Sequence, residues 1–153
     1  MIDIRGVERA DVAEVIELVR DVLAEFGLQF GAGSPTDVEL HDLPASYASN
    51  GGAFWVARRG DELLGTCGVF PVGPAIFELR KMYTRPASRG LGVGKQLLDT
   101  AVAWTRARGG RFLVLDTIDA MKEAIAFYEK HGFVRDDTQI RGARCSRGYI
   151  RSL

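Results

Sequence analysis

The chain has 153 residues, about one domain's length, and its 46% hydrophobic and 26% charged residues suit a packed core and not a disordered chain. A formal net charge of zero argues against nucleic acid as a partner, and no apolar run approaches the roughly 18 residues that a membrane span needs. The N-terminus MIDIRGVERAD has acids where a secretory leader needs basic and then apolar residues, and Cys67 and Cys145 are too few for a secreted disulfide framework, so a cytoplasmic location is expected.

Ile2-Asp3-Ile4-Arg5 alternates and predicts a short opening strand. Val12, Val15, Ile16, Val19, Leu23 and Phe26 then fall at helical spacing, with Glu14, Glu17, Asp21 and Glu25 mostly off that stripe, so an amphipathic helix ends near Gly27. Gly27 to Pro35 reads as a loop and Asp37 to Ala48 as a weaker helical segment, broken at Asn50-Gly51-Gly52. Phe54 to Ala57 and Leu63 to Val72, separated by Arg59-Gly60-Asp61-Glu62, predict a hairpin, and Ala75 to Thr84 another strand.

Residues 91–108 are helical by the stripe Val93, Leu97, Leu98, Ala101, Trp104, and Phe112 to Leu115 is an apolar run suited to an internal strand. Asp119 to Lys130 is a second amphipathic helix, closed at Gly132, and the arginine-rich tail from Phe133 to Leu153 predicts two more strands. The order β-α-α-β-β-β-α-β-α-β-β describes a single α/β (α+β layered) domain over 1–153. Its sheet is mixed and mainly antiparallel, with helices on both faces.

Charge is unevenly spread. Residues 1–75 hold 5 basic and 12 acidic residues, a balance of −7, and the remainder balances at +7. Such a split fits a basic half that holds a small polyanion and an acidic half that faces a cationic substrate, or simply two solvated faces. Glycine is also in excess, 18 residues or about 12% against a usual value near 7%, which implies tight turns and close backbone approach.

The glycines concentrate where chemistry is expected. Arg89-Gly90-Leu91-Gly92-Val93-Gly94-Lys95 lies between a strand and a helix, where bare backbone N–H groups and a helix N-terminus make an anion site. Arg80, Lys81, Arg85, Arg89 and Lys95 add five cations with no acid between Arg80 and Lys95. A Walker A loop fails, because Arg89 stands where its first glycine belongs and Gln96 where Ser or Thr must follow the lysine. A dinucleotide fingerprint fails at Leu97, the place of its third glycine, although Asp116 imitates its distal acid.

Arg89-x-x-Gly92-x-Gly94 is similar to the Q/R-x-x-G-x-G/A acetyl-CoA loop of the GNAT superfamily of N-acetyltransferases. Glu78 to Pro86 resembles the strand that precedes that loop, and Ala124-x-x-x-Tyr128-x-x-x-Gly132-Phe133 resembles the signature of the family's fourth helix. The three blocks stand in the family's order and spacing, and the resemblance covers the chain from Ile2 onward. It implies an acetyl-CoA-dependent N-acetyltransferase that moves an acetyl group to a primary amine of a small molecule or peptide by direct attack. No metal is needed; no pair of Cys or His has metal spacing. Homodimerisation follows from family analogy alone.

The resemblance implies roles for individual residues. The strand and the start of the following helix splay apart, and Met82, Tyr83 and Thr84 offer main-chain groups to pantetheine. The N–H groups from Arg89 through Lys95, with Gly90, Leu91, Gly92, Val93 and Gly94 between them, receive the diphosphate, and an N–H near Met82 faces the thioester oxygen. Tyr128 is the implied general acid toward the leaving sulfur; helical spacing alone would make it part of the packed stripe Met121, Ile125, Tyr128. Glu78 is either the base or, by period 2, an ion-pair partner of Arg80. Met121 departs from the family's asparagine, which moves that part of the cofactor's grip to Thr117 or Asp119. His41 and His131 read as structural. The alternative function is a non-catalytic acyl-CoA-binding sensor or interaction module, and a dehydrogenase would be betrayed by NAD binding. The acceptor is shaped by Phe26 to Pro35, by Asp37 to Ala48 and by the arginine-rich tail.

Overall fold

In chain order, the computed structural model, which describes residues 1–153, contains β1 (Asp3–Gly6), α1 (Val12–Ala24), α2 (Pro35–Val38), α3 (Ala45–Ala48), β2 (Ala53–Arg59), β3 (Glu62–Gly73) and β4 (Ile76–Thr84). It continues with α4 (Val93–Ala107), β5 (Phe112–Thr117), α5 (Lys122–Lys130), β6 (Val134–Arg135) and β7 (Arg147–Ser152). The seven strands form one sheet in the order β1-β2-β3-β4-β5-β7-β6. Every neighbouring pair is antiparallel except β4 and β5, which are parallel and joined through α4. The expected mixed, mainly antiparallel sheet is the one that forms.

Each face of the sheet carries its own apolar layer. Leu97, Leu98 and Ala101 of α4 meet Cys67, Leu79, Leu113 and Leu115 on one face. Val15, Leu18, Val19 and Val22 of α1 meet Leu40, Tyr47, Val56 and Leu63 on the other. Burying one such leucine stabilises the fold by about 1.5–3 kcal/mol. At Gly65 of β3 an added Cβ would lie 3.0 Å from the Tyr83 carbonyl and 3.1 Å from both Leu97 and Val93. Glycine there lets the first turns of α4 lie close on the sheet, which places the N-terminus of that helix beside β4.

Three predicted helices shorten. The segment from Asp37 to Ala48 becomes α2, a 3-10 turn over Glu39–Asp42, and α3, because Pro44 has no N–H for a continuous ladder. Helix α4 begins at Val93, not at residue 91, because Gly90 and Gly92 hold φ of +86° and +80°, outside the helical region. Helix α5 begins at Lys122, after the irregular backbone of Met121.

The charge split is resolved by pairing between the halves. Arg85 lies 3.7 Å from Glu17 and 3.5 Å from Asp21, Arg89 reaches Glu25 at 2.9 Å, and Arg80 reaches Glu39 at 3.4 Å. Lys81 and Arg144 both converge on Asp37. These acids of the N-terminal half are thus engaged by the C-terminal half and not held open for a cationic ligand.

Asp11 provides a stability test away from the cleft. It is 3% exposed and accepts Arg5 at 2.8 and 2.9 Å, Arg58 at 2.8 Å and the Glu8 N–H at 2.7 Å. The hydrogen bonds of Arg5 hold its carboxyl well below the usual range. A depressed carboxyl contributes stability above its unfolded value near pH 4 and loses it as pH falls further. Asp11→Asn is expected to cost about 1–3 kcal/mol at pH 7, and the gap from wild type should narrow toward pH 2, as urea titrations at both pH values would read.

Candidate active site

Strands β4 and β5 part company midway. Their pairing covers Ile76 with Phe112, Phe77 with Leu113 and Glu78 with Val114 and then stops, although β4 runs on to Thr84 and β5 to Thr117. From Leu79 onward the edge of β4 that faces β5 has no strand partner, so its main-chain groups are available to an extended ligand. The opening therefore lies between the two strands, and not between a strand and the following helix as the sequence suggested. It widens into a cleft of about 1180 Å³ bounded by β4, the loop into α4, the end of β5, α5, the end of α1 and residues 141–145.

A β-bulge bends β4 beside this opening. Thr66 pairs with Tyr83 and Gly68 with Arg80, so Cys67 faces both Lys81 and Met82. Lys81 adopts φ of +53°, a conformation that costs a non-glycine residue about 1–2 kcal/mol. The Thr66 hydroxyl donates to the Lys81 carbonyl at 2.7 Å, and the Lys81 ammonium is held by buried Asp37. The kink re-aims the main chain at Met82, Tyr83 and Thr84, all three of which line the cleft.

At the start of α4 the anion cradle takes shape. The N–H groups of Gly90, Gly92, Val93, Gly94 and Lys95 make no hydrogen bond within the protein, whereas Arg89 N–H donates to Pro86 and Leu91 N–H to Ser88. Free N–H groups at a helix N-terminus attract anions through local charge and the helix dipole. Leu91 is 48% exposed and lies off the cleft wall; the other six residues of the run line it. The Arg89 side chain instead clamps the loop, donating to Glu25 at 2.9 and 3.0 Å and to the Thr84 carbonyl at 3.0 Å. Lys95 pairs with Asp99 one turn along the helix. The cradle is made of backbone.

The groups able to move protons stand on the same walls. Tyr128 is 7% exposed, packs edge-on against Phe127 and Phe133, and lines the cleft. Burial pushes its phenol well above its ordinary value. Glu78 is 5% exposed; Oε1 accepts the Arg80 Nε–H, and the fully buried Oε2 has no hydrogen-bond partner. The ion pair with Arg80 is therefore real, and it still leaves one carboxylate oxygen without a hydrogen bond. His131 lines the cleft with its pKa lowered, chiefly by burial and by nearby Lys130. Exposed His41 lies elsewhere, against Phe30. Thr117 lines the cleft and donates to Met121 Sδ at 3.6 Å, but Asp119 is off the wall and paired with Arg147 at 2.9 Å.

Residues 17–133 match the model of the acetyltransferase (GNAT) family. The chain belongs to the GNAT family. A relative named as an uncharacterized N-acetyltransferase, YjgM of Escherichia coli, is 37% identical over 131 residues, spanning 83% of this chain and 78% of that protein. A GNAT acetyltransferase of Staphylococcus aureus superposes with a TM-score of 0.90 at 25% identity, covering 100% of this chain and 99% of the other. An N-acetyltransferase of Thermoplasma acidophilum solved with coenzyme A has a TM-score of 0.78 at 19% identity over 100% and 99% of the two chains, a likeness of fold. As an enzyme, this GNAT protein is an N-acetyltransferase.

One wall of this GNAT cleft was nearly invisible in the sequence. The Asp116 carboxylate accepts the N–H groups of Arg141 and Gly142 through Oδ2, both at 2.7 Å, and so folds the 141–145 loop against β5. Arg144 reaches across to Asp37 at 3.1 Å, and Arg141 Nη1 lies 3.7 Å from Glu78 Oε2. Cys145 sits beside them with its thiol pushed up to about 12, mainly by burial, and so remains protonated. Phe26, Leu28 and residues 33–36 close the opposite rim. The only hint in the sequence was the run of arginines, and nothing in its spacing says that a distant aspartate anchors the loop.

Proposed function

We propose that this GNAT protein, acting as one domain over residues 1–153, moves an acetyl group from acetyl-CoA to a primary amine of a small molecule or peptide by direct attack. The observation that carries this reading is the meeting of two features in one cleft: the unpaired edge of β4 and the five free N–H groups at the head of α4. An elongated thioester ending in a diphosphate needs both at once. Acetyl-CoA, when bound, supplies an activated acyl carbon and a thiol leaving group.

The chain's own residues would do the rest. Main-chain groups of Met82, Tyr83 and Thr84 would align the pantetheine arm, and an N–H beside the Lys81 bulge would face the acyl oxygen and oppose the charge that builds there. Gly90, Gly92, Val93, Gly94 and Lys95 would hold the diphosphate through backbone, with Arg89 and Leu91 shaping the loop. Glu78 Oε2 would take the amine's proton, directly or through water, and Tyr128 would donate its phenolic proton toward the sulfur. Thr117 would stand in for the asparagine replaced by Met121.

Titration calorimetry with acetyl-CoA, combined with a thiol-release assay across amines, tests the whole. Binding with release of CoA is the expected outcome; binding with no release from any amine would mark a sensor, and NAD binding in its place would mark a different enzyme. Gly92→Val should raise the acetyl-CoA Kd at least about tenfold, roughly 1.4 kcal/mol, because a β-branched residue resists the positive φ that aims the loop's N–H groups. Calorimetry on the folded variant reads this, and unchanged affinity would remove the loop from the cofactor site.

A further inference from the structure

Two buried polar atoms of residues on the wall of the cleft have no hydrogen-bond partner, and they belong to groups of opposite charge. Glu78 Oε2 is a carboxylate oxygen without a donor; Arg144 Nη1 is a guanidinium nitrogen without an acceptor. Buried polar groups almost always find a hydrogen-bond partner, and an unpaired charged one is the most costly exception. Both residues line the cleft. The other nitrogen of Arg144 is fixed on Asp37 at 3.1 Å, so its fork is held in place with one prong free. Asp37 is itself satisfied by Lys81 and by the Gly31 N–H at 2.8 Å, and cannot turn to serve that prong as well.

Arg141 approaches the first of the two unpaired groups, while its Nη1 also donates to the Gln139 carbonyl at 3.0 Å. It comes from the same loop as Arg144, is half-exposed, and places Nη1 3.7 Å from Glu78 Oε2, longer than a hydrogen bond. A carboxylate oxygen that can accept a cation and the Arg141 guanidinium thus stand 3.7 Å apart, with Arg144 on the same short loop. A ligand that satisfies both must present an amine and an anion only a short distance apart. Guanidinium groups match a carboxylate through parallel N–H bonds.

We infer that the acceptor is a small zwitterionic amine, an α- or β-amino acid, whose nitrogen meets Glu78 and whose carboxylate is held by Arg144 and Arg141. This rests on the acetyltransferase reading and names the substrate class of the same site. It excludes polyamines and simple alkylamines as good acceptors, since they would bring a second cation, or no anion, to the free prong of Arg144. Arg144 and Arg141 are thereby specificity-determining residues, silent in the chemistry itself.

The test pairs each of the twenty common L-amino acids, and β-alanine, with its carboxamide in a CoA-release assay. At least one acid should exceed its own amide by about 100-fold in kcat/KM, from a lower KM, since the loss of one charge-assisted fork is of that order. Arg144→Gln should collapse that acid-to-amide ratio at least tenfold, Arg144→Lys should restore part of it, and Arg141→Gln should lower it independently. Acetyl-CoA affinity by calorimetry reports that each variant is folded with an intact cofactor site. Amides used as well as acids, or a ratio unmoved by Arg144→Gln in a protein that still binds acetyl-CoA, would overturn the substrate class and leave the acetyltransferase standing. A wild type that releases no CoA to any amine would instead bring down the acetyltransferase reading, and this inference with it.

Discussion

Tyr128→Phe is expected to lower kcat by roughly 10- to 1,000-fold while acetyl-CoA affinity and the fold survive. The ring keeps its edge contacts with Phe127 at 5.8 Å and Phe133 at 5.6 Å between centroids, so packing is retained. The hydroxyl has no hydrogen-bonding partner within the protein, so its removal leaves no group orphaned. The factor is bounded because a thiol with a pKa near 8.5 is already a fair leaving group. kcat and kcat/KM should fall together, since the proton is given in the transition state and hardly shared before it. Burial holds the phenol protonated, so the wild-type rate should show no loss of an acid up to about pH 9. Tyr83 supplies the control: its phenol lines the same cleft and is also raised by burial, but its proposed contribution is main-chain, so Tyr83→Phe should leave kcat close to wild type. A tyrosine that only packs would give the reverse pattern, a lower Tm with full rate per folded molecule.

What could be read from the residues divides along a physical line. Local signals carried the elements: Gly60-Asp61 makes the two-residue turn between β2 and β3, and the stripes of α1 and α4 face their two apolar layers as the periodicity requires. The glycine loop was legible because its backbone conformation demands glycine, and φ of +80° at Gly92 is the demand met. Groups set by long-range contacts were not legible. The register that ends at Glu78 and Val114 depends on how two strands twist apart, and neither sequence contains a mark for it. Arg89 and Lys95 looked like phosphate ligands by position, yet Glu25 and Asp99 claim their side chains. Asp119 was a candidate for cofactor grip until Arg147 of β7 took its carboxylate. Charge counting failed for the same reason: acids and bases segregate in sequence because they meet across the fold.

Glu78→Gln is expected to have the larger catalytic effect, roughly 100- to 10,000-fold in kcat/KM at neutral pH. The substitution is nearly isosteric. Its amide oxygen can still accept the Arg80 Nε–H at the place of Oε1, and Arg80 keeps Glu39 at 3.4 Å and the Phe70 ring 4.2 Å from its guanidinium carbon. The structural half of Glu78's work therefore survives, and the loss isolates Oε2, which alone is free to take a proton. An acceptor amine that titrates at about 8 to 10 arrives mostly protonated at pH 7 and mostly deprotonated above its own pKa. The deficit of Glu78→Gln should accordingly be greatest at low pH and shrink as pH rises past the amine's pKa, a profile that a merely structural residue cannot produce. Tm should move by only a few degrees, since no charge is stranded without a partner. If Glu78 serves only to hold Arg80, the glutamine variant will retain most of its activity at every pH. Asp116, the other carboxylate on that wall, would then be the group to replace, because its Oδ2 is occupied by the Arg141 and Gly142 N–H groups but its second oxygen accepts from neither.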